Sequence, residues 1–197
     1  MIVSKIQSLN DRTIILASKS PRRKMLLEAL GFPFKVRIHE VDESFSTDLK
    51  GGEIPEYLAR KKAEAFEHDL TEKELVITAD TVVWINDHAL NKPESNAEAK
   101  KMLMELSEAD HSVFTGVCLK TQSKTVSFFE ETKVRFNSLS EEEIDFYLKN
   151  YKPLDKAGAY GIQEFIGLIG IKSIEGDFYN VVGFPVQRFW RELPTIL

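Results

Sequence analysis

The chain is poor in cysteine: Cys118 is the only one in 197 residues. That count excludes a disulfide framework and a cysteine-based zinc site, and it fits a reducing cytoplasm, the compartment we expect. Cys118 itself reads as a small apolar filler. Long apolar runs are also missing. No uncharged stretch reaches the ~18 residues of a membrane span, and Met1 to Arg12 lack the apolar run and small-residue site of an export signal. No membrane partner is expected. His39, His68, His88 and His111 are scattered with no pair at helical metal spacing, which argues against zinc. Positive charge is in deficit, 26 Lys and Arg against 31 Asp and Glu for a net −5, so no nucleic-acid partner is expected. Repeats and low-complexity segments are absent as well.

What remains is a chain with 43% hydrophobic and 29% charged residues, long enough to bury a core in one domain or two closely joined lobes, which we read as one domain over residues 1–197. In an acidic chain, a local basic cluster needs a local reason. Ser20-Pro21 is a good helix start and Gly31 a good stop, yet the first turn holds Arg22, Arg23 and Lys24, where the helix dipole favours acids. A helix start with free amides, the hydroxyls of Ser18 and Ser20 and two guanidiniums suits a phosphate chain. A solvated basic edge is the plainer alternative. Ile14 to Ser18 before it and Phe34 to Ile38 after it read as strands, and Leu26, Leu27 and Leu30 put the apolar stripe away from the arginines. Both arginines are therefore expected at the mouth of a site, not in the core.

Glu40 to Ser44 is acidic and runs into a glycine-containing loop that reaches Glu53. Pro55 is expected to open a helix running to about His68, with Leu58, Ala59, Ala63 and Phe66 on its apolar face. Lys62 falls on that same stripe, either snorkelling to water or aimed into a cleft. Leu75 to Trp84 reads as a nearly continuous buried strand interrupted by Asp80. A carboxylate there is costly unless it is paired or on a metal, so Asp80 is the best single catalytic candidate; a structural Asp accepting backbone N–H bonds is the alternative. Asn86-Asp87 makes a turn, and Leu90-Asn91-Lys92-Pro93 brings a further lysine close in sequence.

Ser95 or Asn96 caps a helix through Ala99, Met102, Leu103 and Leu106. A long hairpin follows, from Ser112 to Lys120 and Thr125 to Phe136. Ser140 and Glu143 form a capping box for a helix with Ile144, Tyr147, Leu148 and Tyr151 on its buried face. Asp155 to Gln163 is rich in small residues that allow close backbone approach, and the glycines continue at 167, 170 and 176 as candidate turns. An amide such as Gln163 can read a base edge through its paired donor and acceptor. Val181 to Leu193 reads as a terminal helix entered through Gly183 and Pro185.

Taken in order, these stretches resemble one family, the Maf-like nucleoside triphosphate pyrophosphatases. The resemblance is carried by Leu16-Ala17-Ser18, Ser20-Pro21-Arg22-Arg23, Val41-Asp42-Glu43, Ala59-Arg60-Lys61-Lys62-Ala63, Ala79-Asp80-Thr81-Val82-Val83 and Lys92-Pro93. It continues through His111, Thr115-Gly116-Val117, Asp155 to Gln163 and Gly176 to Gly183. It departs at Asn91 and Glu164, where the family commonly has glycine.

The resemblance implies an α/β fold with a central mixed sheet and flanking helices, two lobes around a cleft, similar in outline to inosine triphosphate pyrophosphatases. It implies hydrolysis of a nucleoside triphosphate to the monophosphate and pyrophosphate with a divalent cation, Mg²⁺ or Mn²⁺, and a homodimer. The form of the late motif resembles the branch acting on dTTP and UTP, which would make a pyrimidine nucleoside triphosphate the partner and Gln163 the reader of its base. Arg22, Arg23, Lys62 and Lys92 would then neutralise phosphate charge, with Ser18 and Ser20 as hydrogen-bond donors. Asp80 and Glu43 would hold the metal, one of them activating water. A nucleotide-binding regulator of cell division or septum formation is the rival from another class, and it would keep the cations while losing the acids.

Overall fold

The protein is described here by a computed structural model covering residue 9 and residues 11–197. Seven strands form one sheet: β1 (Thr13–Leu16), β2 (Phe34–Val36), β3 (Glu74–Ile85), β4 (His88–Leu90), β5 (Asp110–Lys120), β6 (Thr125–Phe136) and β7 (Ile171–Glu175). The helices are α1 (Pro21–Glu28), α2 (Glu53–Glu64), α3 (Asn96–Leu106), α4 (Glu141–Tyr151), α5 (Phe165–Gly170), α6 (Phe178–Val182) and α7 (Val186–Ile196), with a 3₁₀ turn at Ala157–Ala159. The strand order is β2-β1-β3-β5-β6-β7, with β4 paired to β3. Strand β1 is parallel to β2 and β3 and every other pairing is antiparallel, which gives the expected mixed sheet.

Strand β3 is the spine. Its alternate residues point to opposite faces. Leu75, Ile77, Ala79, Val83 and Ile85 join the main core with Leu103 and Leu106 of α3, Tyr147 of α4 and Phe189 of α7. On the other face Val76 packs with Phe66, and Val82 with Ile54 and Leu58. The Thr78 hydroxyl donates to the Ala59 carbonyl of α2 at 2.6 Å. With both faces covered, the strand reads as a continuous apolar run. Asp80 belongs to the α2 face, between Thr78 and Val82.

Helix α2 lies close to the sheet because Gly116 of β5 is opposite Asp80 in the ladder. A Cβ on Gly116 would come within 2.2 Å of the Glu56 nitrogen and the Pro55 carbonyl carbon. A second local feature shapes the site. Strand β1 pairs with β3 only as far as Ile77, and β4 begins pairing at Val83. Between them one edge of β3 has no strand beside it among the described residues, and its backbone groups need other partners.

Several boundaries differ from the sequence expectation. Strand β1 ends at Leu16 and β2 at Val36, and α2 spans Glu53–Glu64 where Pro55 to about His68 was expected. Glu53 and Glu56 in its first turn favour the earlier start. The expected terminal helix is divided into α6 and α7 by Gly183, whose φ of 121° lies outside helical space. Of the glycines expected as turns, Gly167 and Gly170 lie inside α5, while Gly176, with a φ of 122°, makes the expected bend just past β7. Other expectations match: Ser20, Ser95 and Ser140 each accept a backbone N–H as caps, and Ser140 forms the full capping box with Glu143.

Candidate active site

A cleft of about 730 Å³ opens where β1 ends beside β3. Ser18, Ser20, Arg22, Arg23, Glu43, Lys62, Asp80, Lys92 and Gln163 all line it. Two ionic groupings divide its walls.

On one wall, α2 and β3 bring Lys62 to Asp80. The Lys62 ammonium donates to Asp80 Oδ1 at 2.5 Å and lies 2.9 Å from Glu43 Oε1. Side chains Lys62 and Asp80 are 14% and 11% exposed, whereas Glu43 is 49% exposed, so the grouping runs from the sheet outward to solvent. Lys62 thus does not snorkel past the apolar stripe. It ends on two carboxylates. Burial acts to raise the Glu43 carboxyl, but the hydrogen bond and charge of Lys62, with the charges of Lys92 and Arg23, outweigh it and hold the group below its ordinary value. Lys92 stands farther out, 3.9 Å from Glu43 Oε2.

On the other wall the N-terminus of α1 presents its basic turn. The expectation that both arginines sit at the mouth holds for Arg22 alone. Arg23 turns inward to the uncovered edge of β3, donating to the Ala79 carbonyl at 2.8 Å, the Gly183 carbonyl at 2.9 Å and Thr81 Oγ1 at 3.0 Å. The guanidinium fork supplies what a neighbouring strand would have supplied. Burial lowers its pKa, opposed by the charges of Asp80 and Glu43. Arg22 instead pairs with Asp155 Oδ2 at 3.0 Å.

Both serine oxygens accept, Ser18 Oγ from the Ser20 amide at 3.2 Å and Ser20 Oγ, as the expected helix cap, from the Arg23 amide at 3.4 Å, which leaves each O–H to act as a donor toward a ligand. Gln163 is exposed on the cleft wall, and its amide has no partner among the described residues.

Sequence reasoning gave no role to three groups that the fold brings here. Asp155 neutralises Arg22, Thr81 receives Arg23, and Lys156, 7% exposed, pairs with Asp155 at 2.7 Å and Glu164 at 3.0 Å. The one signal available for Asp155 and Lys156 was their place at the head of the small-residue run. Cys118 is buried, and desolvation pushes its thiol up to about 12, in keeping with a filler role.

Mixed sheet, flanking helices and a cleft with cations on both walls define an α/β protein built to receive a polyanion. The family model for Maf-like proteins matches residues 13–196, and the chain belongs to that family. A dTTP/UTP pyrophosphatase of Bacteroides thetaiotaomicron is 52% identical over 190 residues, 96% of this chain and 98% of that protein. Proteins of the same name from Parabacteroides distasonis and Flavobacterium psychrophilum are each 50% identical, over 95% and 93% of this chain and 98% and 94% of theirs. Among solved structures, that of the Staphylococcus aureus Ham1 protein has a TM-score of 0.48 at 18% identity, covering 64% of this chain and 72% of that one.

Proposed function

We propose that this chain, acting as one domain, is a nucleoside triphosphate pyrophosphatase that hydrolyses dTTP and UTP to the monophosphate and pyrophosphate, a house-cleaning role in the nucleotide pool. The observation that carries the reading is Lys62 held between Asp80 and Glu43, across the cleft from the basic start of α1. A triphosphate carries more negative charge than an acidic protein can hold without concentrated cations, and Arg22, Arg23, Lys62 and Lys92 all line this one cleft. The names of these relatives support the same substrates.

In this reading the triphosphate lies along α1, with Arg22 exchanging Asp155 for phosphate oxygens and the hydroxyls of Ser18 and Ser20 donating. Lys62 and Lys92 take up the charge that develops on the departing pyrophosphate. Water attacks the α-phosphorus, and Asp80, or Glu43 beside it, orients the water and accepts its proton. Gln163 meets the pyrimidine edge with its free amide.

The donor set also fits a divalent cation. No group of three or more His, Cys, Asp or Glu among the described residues could hold an ion unaided. Two carboxylates completed by substrate oxygens and water are the usual magnesium arrangement, and Asp80 and Glu43 would hold Mg²⁺ or Mn²⁺ in that way. Such an ion neutralises phosphate charge and polarises the phosphoryl oxygens.

A regulator that binds without hydrolysing would have no use for a buried carboxylate locked to a lysine beside the phosphate grip. The deciding experiment incubates the purified protein with a nucleotide panel and Mg²⁺ or Mn²⁺ and identifies the products. Monophosphate and pyrophosphate from dTTP and UTP are expected; orthophosphate release would overturn the reaction, and preference for a purine would overturn the base assignment.

A further inference from the structure

Gln163 sits in a tight turn closed by the Glu164 amide donating to the Gly161 carbonyl at 3.0 Å. The amide meant to meet a ligand is held by nothing of its own. Both ends of that turn, however, are tied to one buried side chain. The Gly161 amide donates to the Tyr147 hydroxyl at 3.1 Å, and that hydroxyl donates to Glu164 Oε2 at 2.5 Å. Tyr147 is fully buried in α4, on a different element from the turn it ties.

Burial, then the bond to Glu164 and its charge, raise the Tyr147 phenol, which keeps its proton and so remains the donor. The second carboxylate oxygen of Glu164 pairs with Lys156 at 3.0 Å, and Lys156 pairs with Asp155, the partner of Arg22. Glu164 is also in close contact with Gly161: a Cβ there would lie 2.8 Å from Glu164 Cδ. The turn therefore has one arrangement, fixed from the core by Tyr147 and from the phosphate wall by Lys156.

We propose that Tyr147 and Glu164 are positioning residues for base selection, bracing the turn of residues 161–164 so that Gln163 meets the pyrimidine edge in one orientation. The inference rests on the proposed reading of Gln163. A carboxamide distinguishes bases only when its donor and acceptor are held in place, and support from beneath supplies that order before the ligand arrives. The Tyr147 hydroxyl bonds only the turn itself, so its effect falls on the base, whereas Glu164 also reaches Arg22 through Lys156 and Asp155, which makes Tyr147→Phe the cleaner of the two variants.

Steady-state kinetics of Tyr147→Phe and Glu164→Gln with dTTP, UTP and CTP test this, with inorganic tripolyphosphate as a competitive inhibitor that has no base. For Tyr147→Phe, KM for dTTP and UTP is expected to rise about tenfold, the worth of roughly one lost hydrogen bond, with kcat within about twofold and the preference over CTP reduced to match. Tripolyphosphate inhibition stays as in the wild type. Glu164→Gln, which keeps the side-chain shape, moves the same quantities the same way by about threefold and stands in if Tyr147→Phe does not fold. In a Gln163→Ala background Tyr147→Phe adds nothing further.

A folded variant with an unchanged preference, a matching loss of tripolyphosphate affinity, or additivity with Gln163→Ala overturns the brace. If the wild type has no preference for dTTP and UTP, or Gln163→Ala leaves it intact, the reading of Gln163 falls and the brace with it. A preference abolished by Gln163→Ala and untouched by both brace variants overturns the brace alone.

Discussion

Arg23 and Lys62 bring the same charge to one cleft from opposite walls and spend it differently. Arg23 is bonded to two backbone carbonyls and to hydroxyls, all neutral, while Lys62 is bonded to two carboxylates. In the proposed reading the difference separates a structural cation from a chemical one. A guanidinium on neutral acceptors keeps its charge uncompensated, so Arg23 closes the edge of β3 and still projects a positive field onto anything lying along α1. An ammonium between two acids is compensated, and a phosphate or cation that competes for either partner rearranges the group. In the proposed reading the α1 wall is fixed at Arg23 before substrate arrives, with Arg22 at its mouth exchanging Asp155 for phosphate; the α2 wall is the one that responds.

Breaking the responsive wall has the largest expected effect. Asp80→Asn keeps the size and the fold but lowers kcat for dTTP by about a thousandfold or more, as loss of a general base does, in a steady-state assay on protein with unchanged circular dichroism. Near-normal turnover would remove Asp80 from the chemistry. Lys62→Met keeps the stem packed and removes the charge, lowering kcat/KM by about a hundredfold. It also releases Glu43, whose carboxyl Lys62 helps hold low. The acid limb of the pH–rate profile therefore moves to higher pH, because Glu43 then takes its proton earlier as pH falls.

The fixed wall is expected to fail differently. Arg23→Lys preserves the charge but cannot reach the Ala79 carbonyl, the Gly183 carbonyl and Thr81 together, so it costs about 2 kcal/mol of stability, read from chemical denaturation. A variant with unchanged stability and lost substrate affinity would make Arg23 a second responsive cation and erase the contrast.

A control lies behind both walls. His111 is buried, its Nε2 2.8 Å from the Tyr160 hydroxyl, and desolvation lowers its pKa to about 4, slightly opposed by Asp110. Its folded value lies below its unfolded one, so it stays neutral in the fold and takes up a proton on unfolding, and stability falls as pH drops through that window. The loss is about 1 kcal/mol by pH 5.5 and about 3 kcal/mol by pH 4. Denaturation across that range should flatten in His111→Gln, while the contrast between the two walls at neutral pH stays as it was.

What could be read from the sequence were violations of local rules. A basic first turn at Arg22 and Arg23, a carboxylate at Asp80 inside an apolar strand and a lysine at Lys62 on an apolar stripe each break a short-range preference, and each lines the cleft. The Ser140 capping box and the β5–β6 hairpin were equally legible, since the whole signal lies within a few residues. The inward turn of Arg23 was not. It depends on a gap between β1 and β4, which the pairing registers of two strands set together. Nor was the meeting of Tyr147 with Glu164, whose elements are joined only by the fold. In α5 the glycines misled, because Gly167 serves close packing: a Cβ there would lie 2.3 Å from the Ile162 carbonyl oxygen. A glycine kept for contact looks, in sequence, like a glycine kept for a turn.

In the proposed reading the reacting water lies beside Asp80 and the leaving pyrophosphate beside the lysines. Hydrolysis of dTTP in ¹⁸O-enriched water, followed by mass spectrometry of both products, tests that placement directly. Attack at the α-phosphorus puts the label in the monophosphate and leaves pyrophosphate unlabelled; label in pyrophosphate, or in released orthophosphate, would contradict it.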